Sequence, residues 1–141
     1  MDMIKLSANL SDMEEYEPLP QGLYPAEVRD CEIRHSEKVP EGYIYMQLRV
    51  DPDDYPADYD PSNAPEGVQL IYASVKVPDG KDRRKVRPFK QLMKALGQDI
   101  SAATFDPSAW AGQHVQVLVR TSEYQGALVN NVDAVSELPT V

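Results

Sequence analysis

Tyrosines and cations recur at short spacing in two stretches of this chain. GYIYMQLRV carries Tyr43, Tyr45 and Arg49 at alternate positions, and LIYASVKV adds Tyr72 and Lys76. Just downstream, KDRRKVR supplies Lys81, Arg83, Arg84, Lys85 and Arg87. Rings beside cations suit a sequence-tolerant binder of single-stranded nucleic acid. The rings stack on bases for about 1–3 kcal/mol each, and the cations track the phosphates. Residues two apart in a strand share a face, so Tyr43, Tyr45 and Arg49 fall on one side of a strand over 43–50. Its other side is apolar, with Ile44, Met46, Leu48 and Val50. A third strand, 68–77, is read with Ile71, Ala73, Val75 and Val77 inside and Tyr72, Ser74 and Lys76 outside. One outer face would then hold three tyrosines and two cations, flanked by the basic run. The ordinary alternative is exposed strand tyrosines beside a solvated charged helix face.

Other chemistries find no residues to carry them. The seven glycines are scattered singly, so no loop cradles a phosphate. His35 and His114 lack HxxxH or CxxC spacing, which argues against a metal centre. Cys31 lies four positions before His35 on one strand, and reads as a buried structural cysteine beside a surface histidine. The acids Asp51, Asp53, Asp54, Asp58 and Asp60 resemble a calcium loop in density alone. Pro56 and Ser62 stand where such a loop needs its glycine and final glutamate. The expectation is a binding protein, with no catalytic residue, metal or cofactor.

The net charge of −9 over 141 residues is unevenly spread. Residues 1–66 hold 16 acids against 5 bases, while 76–94 hold 8 bases against 2 acids. Such a patch can attract an anion although the chain as a whole is acidic, because screening limits repulsion to about 10 Å. The single cysteine rules out an internal disulfide. No apolar run nears the ~18 residues of a membrane span, and the acidic start lacks the build of a secretory signal. A cytoplasmic location is expected.

These side chains must be held by a small all-β domain. Residues 1–20 show no period and read as an acidic arm; residues 21–141 read as the folded domain, with a long acidic loop at 51–67. Residues 23–34 form a first strand whose alternation slips at Arg29–Asp30, as a β-bulge would cause. Strands over 43–50 and 68–77 follow. Residues 85–96 read as the single helix, with Val86, Phe89, Leu92, Met93 and Leu96 on one face and Gly97 at its end. A capped helical turn at 106–110 precedes strands at 115–120 and 127–135. Three strands, a helix and two strands is the order of the five-stranded OB-fold barrel (β-β-β-α-β-β), whose second and third strands hold oligonucleotides.

Four segments are also similar to a group of bacteriophage-encoded OB-fold proteins, namely single-stranded DNA-binding proteins and related phage early proteins. They are LPQGLYPAEVRDCEI (19–33), GYIYMQLRV (42–50), PFKQLMKALG (88–97) and FDPSAWAGQHVQVLVRTSEYQGALVNNV (105–132). The shared features are the Leu-Pro-x-Gly-x-Tyr start, the Ala-Leu-Gly helix end, a Trp-x-Gly-x-x-Val-x-Val-x-Val strand, and the ending formed by Tyr124, Gly126, Asn130–Asn131 and Val132. The resemblance implies work on single-stranded DNA in phage replication or recombination, in the host bacterial cytoplasm, with phage or host replication or recombination proteins as partners. Self-association into a homo-oligomer is compatible with it. The chain departs from bacterial relatives in ending SELPTV rather than in an acidic, Phe-tipped tail. Two other readings stay open. An acidic OB module could mimic DNA and bind or inhibit a protein, since residues 51–66 hold six acids and no base. A phage virion or assembly component could use the domain as a scaffold.

Overall fold

The computed structural model describes residues 2–10 and 17–139. Its strands are β1 (Gly22–Arg34), β2 (Tyr43–Val50), β3 (Val68–Tyr72), β4 (His114–Tyr124) and β5 (Ala127–Ser136). They form one antiparallel sheet in the order β3-β2-β1-β4-β5. One helix, α1 (Val86–Ala95), lies between β3 and β4 in the chain. The architecture is therefore all-β and OB-like, as the order of elements predicts. It differs from an ideal barrel in closure. β3 and β5 come close, but among the described residues no ladder joins them.

Inward residues alternate along each strand, and single extra residues reset the alternation. On β1, Val28 faces Leu48 but Asp30 faces Gln47, so Arg29 is bulged where the sequence slips. The buried set passes there from Tyr24, Ala26 and Val28 to Cys31. Burial pushes the Cys31 thiol up to about 12, which leaves it protonated and unreactive. On β5, Asp133 is the extra residue opposite the Leu118–Val119 step, and Val132 and Val135 both face inward.

The third strand requires a correction. Tyr72 pairs with Met46, whereas Lys76 pairs with Tyr43 across an isolated bridge. Three steps on β2 thus match four on the segment from Tyr72 to Lys76, and the face flips between them. Val68 and Leu70 are buried and Ile71 is 56% exposed, contrary to the sequence reading. Beyond the flip, Val75 is buried and Lys76 exposed, as that reading has it. The regular strand ends at Tyr72 rather than at Val77.

Leu92, Met93 and Leu96 anchor α1 in the core, and Phe89 meets Phe105 edge-on at 5.7 Å. The helix grows from a 3-10 turn, Arg83–Lys85, whose first free amide (Arg84 N–H) donates to the Asp82 carboxylate. Asp106 caps the 3-10 turn Pro107–Trp110 in the same way, and Trp110 is buried. Gln125 and Gly126 both have positive φ, 51° and 82°, the two-residue turn that suits the right-handed twist of a hairpin.

The domain starts earlier than residue 21. Leu19 is fully buried, its N–H donates to Asn130 Oδ1 at 2.8 Å, and its carbonyl accepts from Asn130 Nδ2 and Thr121 Oγ1. Residues 17–20, read as arm, therefore belong to the packed domain. Residues 11–16 of that arm lie outside the described residues. The acidic loop 51–67 is built rather than loose. Two 3-10 turns, Pro52–Asp54 and Pro61–Asn63, are capped by Asp51 and Asp60. Tyr59 is buried, meets Tyr55 edge-on at 5.0 Å, and donates its hydroxyl to the Glu17 carbonyl. Leu19→Ala should cost about 2–5 kcal/mol in urea unfolding. Removal of residues 1–16 should leave the midpoint unchanged. An unaffected Leu19→Ala variant would put the domain start after this residue.

Candidate nucleic-acid interface

Directly opposed strand residues share a face. Tyr43 opposes Arg34 on β1 and Lys76 on its other side, so Arg34, Tyr43 and Lys76 make one row across three chain segments. Tyr45, two residues along, shares this face, and the Arg34 guanidinium carbon sits 3.5 Å from its ring centroid. A cation held over an aromatic face is an attractive pair. Arg34 Nε also donates to Glu32 at 2.5 Å, and that hydrogen bond is the main reason its pKa rises above the usual guanidinium value. Arg34 is absent from the sequence-derived set. Counting back across the 35–42 turn from Tyr43 would have found it, because hairpin pairing makes the two opposite.

Lys76 carries the face onward. With Ser74, Asp82, Arg84, Lys85 and Pro88 it lines a groove of about 350 Å³ between the end of the third strand and the start of α1. The sequence-derived cations now divide by what holds them. Lys76, Lys81, Arg83 and Arg87 are exposed and make no ion pair among the described residues. Arg84 pairs with Asp82 through two hydrogen bonds of 3.0 Å, yet its side chain remains 90% exposed. Lys85 is largely covered, and its ammonium reaches Asp79 at 3.1 Å and Glu41 at 3.4 Å. The hydrogen bond to Asp79 is the chief cause of its raised pKa.

Arg49 shares the Tyr43–Tyr45 face but is engaged elsewhere. Its Nε donates to the Glu66 carbonyl at 2.7 Å and its Nη1 to Asp51 at 3.1 Å, so it joins the two ends of the acidic loop. Gly67 makes this possible. Its φ is +103°, and a Cβ there would lie 2.5 Å from Arg49 Nε. Tyr72 leaves the outer set altogether. It packs half-buried against the core beside Met46, and burial raises its hydroxyl pKa. The structure thus keeps Tyr43, Tyr45 and Lys76 together, adds Arg34, removes Tyr72 and assigns Arg49 to the loop.

No protein-family model matches the chain, and no curated protein matches it. Among the described residues, no group of three or more His, Cys, Asp or Glu side chains is placed to hold a metal ion. Among them also, no helix is long and apolar enough to cross a membrane.

Asp79 offers a test of how this region is held. The backbone N–H groups of Lys81 and Asp82, then Lys85, keep its carboxyl well below the ordinary range. A carboxylate held below its usual pKa of about 3.9 stabilises the fold fully above that value, and progressively less as pH falls toward the lowered one. Asp79→Asn should therefore melt below the parent at pH 7, with the gap closing toward pH 2. A gap independent of pH would mean that the charge of Asp79 does not matter.

Proposed function

We propose that this protein binds single-stranded nucleic acid, and single-stranded DNA in particular, across the outer face of β1 and β2 and the groove at the start of α1. The observation that carries this is the row Arg34–Tyr43–Lys76, continuous with the groove lined by Lys76, Arg84 and Lys85. Bases stack on Tyr43 and on the Arg34–Tyr45 pair, since guanidinium planes and aromatic rings both accept base stacking. Lys76, Lys81, Arg83 and Arg87 meet phosphates directly. Arg84 exchanges an exposed carboxylate for a phosphate at small cost, because exposed ion pairs contribute little. Lys85 holds the groove's wall. The resemblance of four segments to phage OB-fold proteins supports a role in phage DNA replication or recombination, in the cytoplasm of an infected bacterium.

Anisotropy titrations of labelled oligo-dT, oligo-U and duplex DNA at two salt concentrations test this. Oligo-dT should bind more tightly than duplex, with log K falling by about 0.7 per phosphate contact for each tenfold rise in salt. Tyr43→Ala and Tyr45→Ala should each lose about 1–3 kcal/mol of affinity, and Lys76→Ala should flatten the salt slope by about 0.7. Arg49→Ala and Tyr72→Ala should leave the slope unchanged. A slope near zero, or preference for duplex, overturns the proposal. Tight capture of a basic nucleic-acid enzyme without DNA affinity would favour the acidic-module reading instead.

A further inference from the structure

The groove at the start of α1 contains an anion of its own. Asp82 lines it beside Lys76, Arg84 and Lys85. Its Oδ1 accepts from Arg84 Nε at 3.0 Å and its Oδ2 from Arg84 Nη2 at 3.0 Å. Two parallel N–H···O bonds are also how a guanidinium grips two oxygens of a phosphate. A carboxylate and a phosphodiester each present two oxygens and one negative charge. Asp82 therefore fills, on Arg84, the position that a backbone phosphate would take.

The two partners differ in freedom. The Asp82 carboxylate is fixed by the chain around it. The Asp82 N–H donates to Asp79 Oδ1 at 3.1 Å, and Asp82 Oδ1 also accepts the Arg84 backbone N–H at 3.0 Å, capping the 3-10 turn Arg83–Lys85. The Arg84 side chain is 90% exposed, and among the described residues its guanidinium hydrogen-bonds to Asp82 alone. It can swing to another anion while the carboxylate and the cap stay in place. The neighbouring pair has no such freedom, since Lys85 is 16% exposed and shared between Asp79 and Glu41.

We infer that Asp82 is a built-in competitor of single-stranded nucleic acid: it occupies the Arg84 guanidinium when no strand is bound, and a backbone phosphate displaces it. This regulation belongs to the site proposed above and rests on that reading. It acts through Arg84 alone, because Lys76, Lys81, Arg83 and Arg87 make no ion pair among the described residues. The exchange replaces one ion pair by another of the same geometry, so no strand of the sheet has to move. It also leaves Asp82 without a counter-charge beside the bound strand, which favours release.

Asp82→Asn isolates the charge. Asparagine caps a helical turn as well as aspartate does, so the fold is kept, while a neutral amide cannot hold the guanidinium as an ion pair. Labelled oligo-dT should bind Asp82→Asn about two- to fivefold more tightly than the parent, the range of an exposed ion pair. The gain should be smaller in an Arg84→Ala background, where no guanidinium remains to be released. If Asp82 only repelled the strand, the gain would be larger there, because nothing would neutralise it. The Arg84 Nε–H resonance, assigned by its loss in Arg84→Ala, should also move when oligo-dT is added to the parent. Equal or weaker binding by Asp82→Asn, a gain as large or larger without Arg84, or an unmoved Arg84 resonance overturns the inference and leaves binding by the parent intact. Binding by Asp82→Asn but not by the parent supports it in its strongest form. No binding by either chain overturns it together with the proposed function.

Discussion

A sheet whose inner face alternates strictly can wrap one core only if the alternation is broken where the sheet must bend. Here the breaks are single extra residues: Arg29 on β1, one residue between Tyr72 and Lys76 after β3, and Asp133 on β5. A bulge sharpens twist and turns the chain. It also exchanges the two faces. The same device that curls the sheet thus decides which side chains reach water. Without the extra residue before Lys76, that lysine would point inward with Met46 and Leu70, and the row with Tyr43 would not exist.

The second organising contact is electrostatic. The Lys85 ammonium lies between Asp79, which follows the third strand, and Glu41, which precedes β2. One cation therefore ties the β1–β2 turn, the segment leaving the sheet and the start of α1. These groups are mostly covered, so the pair is screened less than a surface pair would be. Arg49 plays the equivalent part at the other end of β2, joining Asp51 to Glu66. Both residues look like ligand contacts in a sequence, because a cation beside tyrosines carries no mark of whether a carboxylate has claimed it.

That limit explains what the sequence shows and what it conceals. β2 was readable because Ile44, Met46, Leu48 and Val50 alternate cleanly with polar residues over eight positions. The β1 bulge was readable because apolar residues on both sides of Arg29 fall out of step. The slip after Tyr72 was hidden, since Ile71, Ala73, Val75 and Val77 make an unbroken apolar series although Ile71 and Ala73 face out and Val75 faces in. Only pairing with β2 reveals it. Leu19 was hidden because its burial depends on Asn130 and Thr121, more than one hundred positions away. Tyr59 was hidden because its proline- and aspartate-rich surroundings read as loop, while its hydroxyl closes onto Glu17.

The acidity of the chain then has a spatial resolution. The loop 51–67 begins where β2 ends, at Val50, and the Tyr43–Lys76 row lies at the strand's opposite end. Seven residues of strand separate them by about 23 Å, well over the ~8–10 Å Debye length at physiological ionic strength. By clamping both ends of the loop, Arg49 fixes that distance. Glu32, Asp79, Asp82 and Glu41, on the segments that carry or border the row, are each hydrogen-bonded to a cation. On the proposed function, a phosphate at Lys76 would meet a groove that also holds Arg84 and Lys85, and the net charge of −9 would act on it through a screened, distant field.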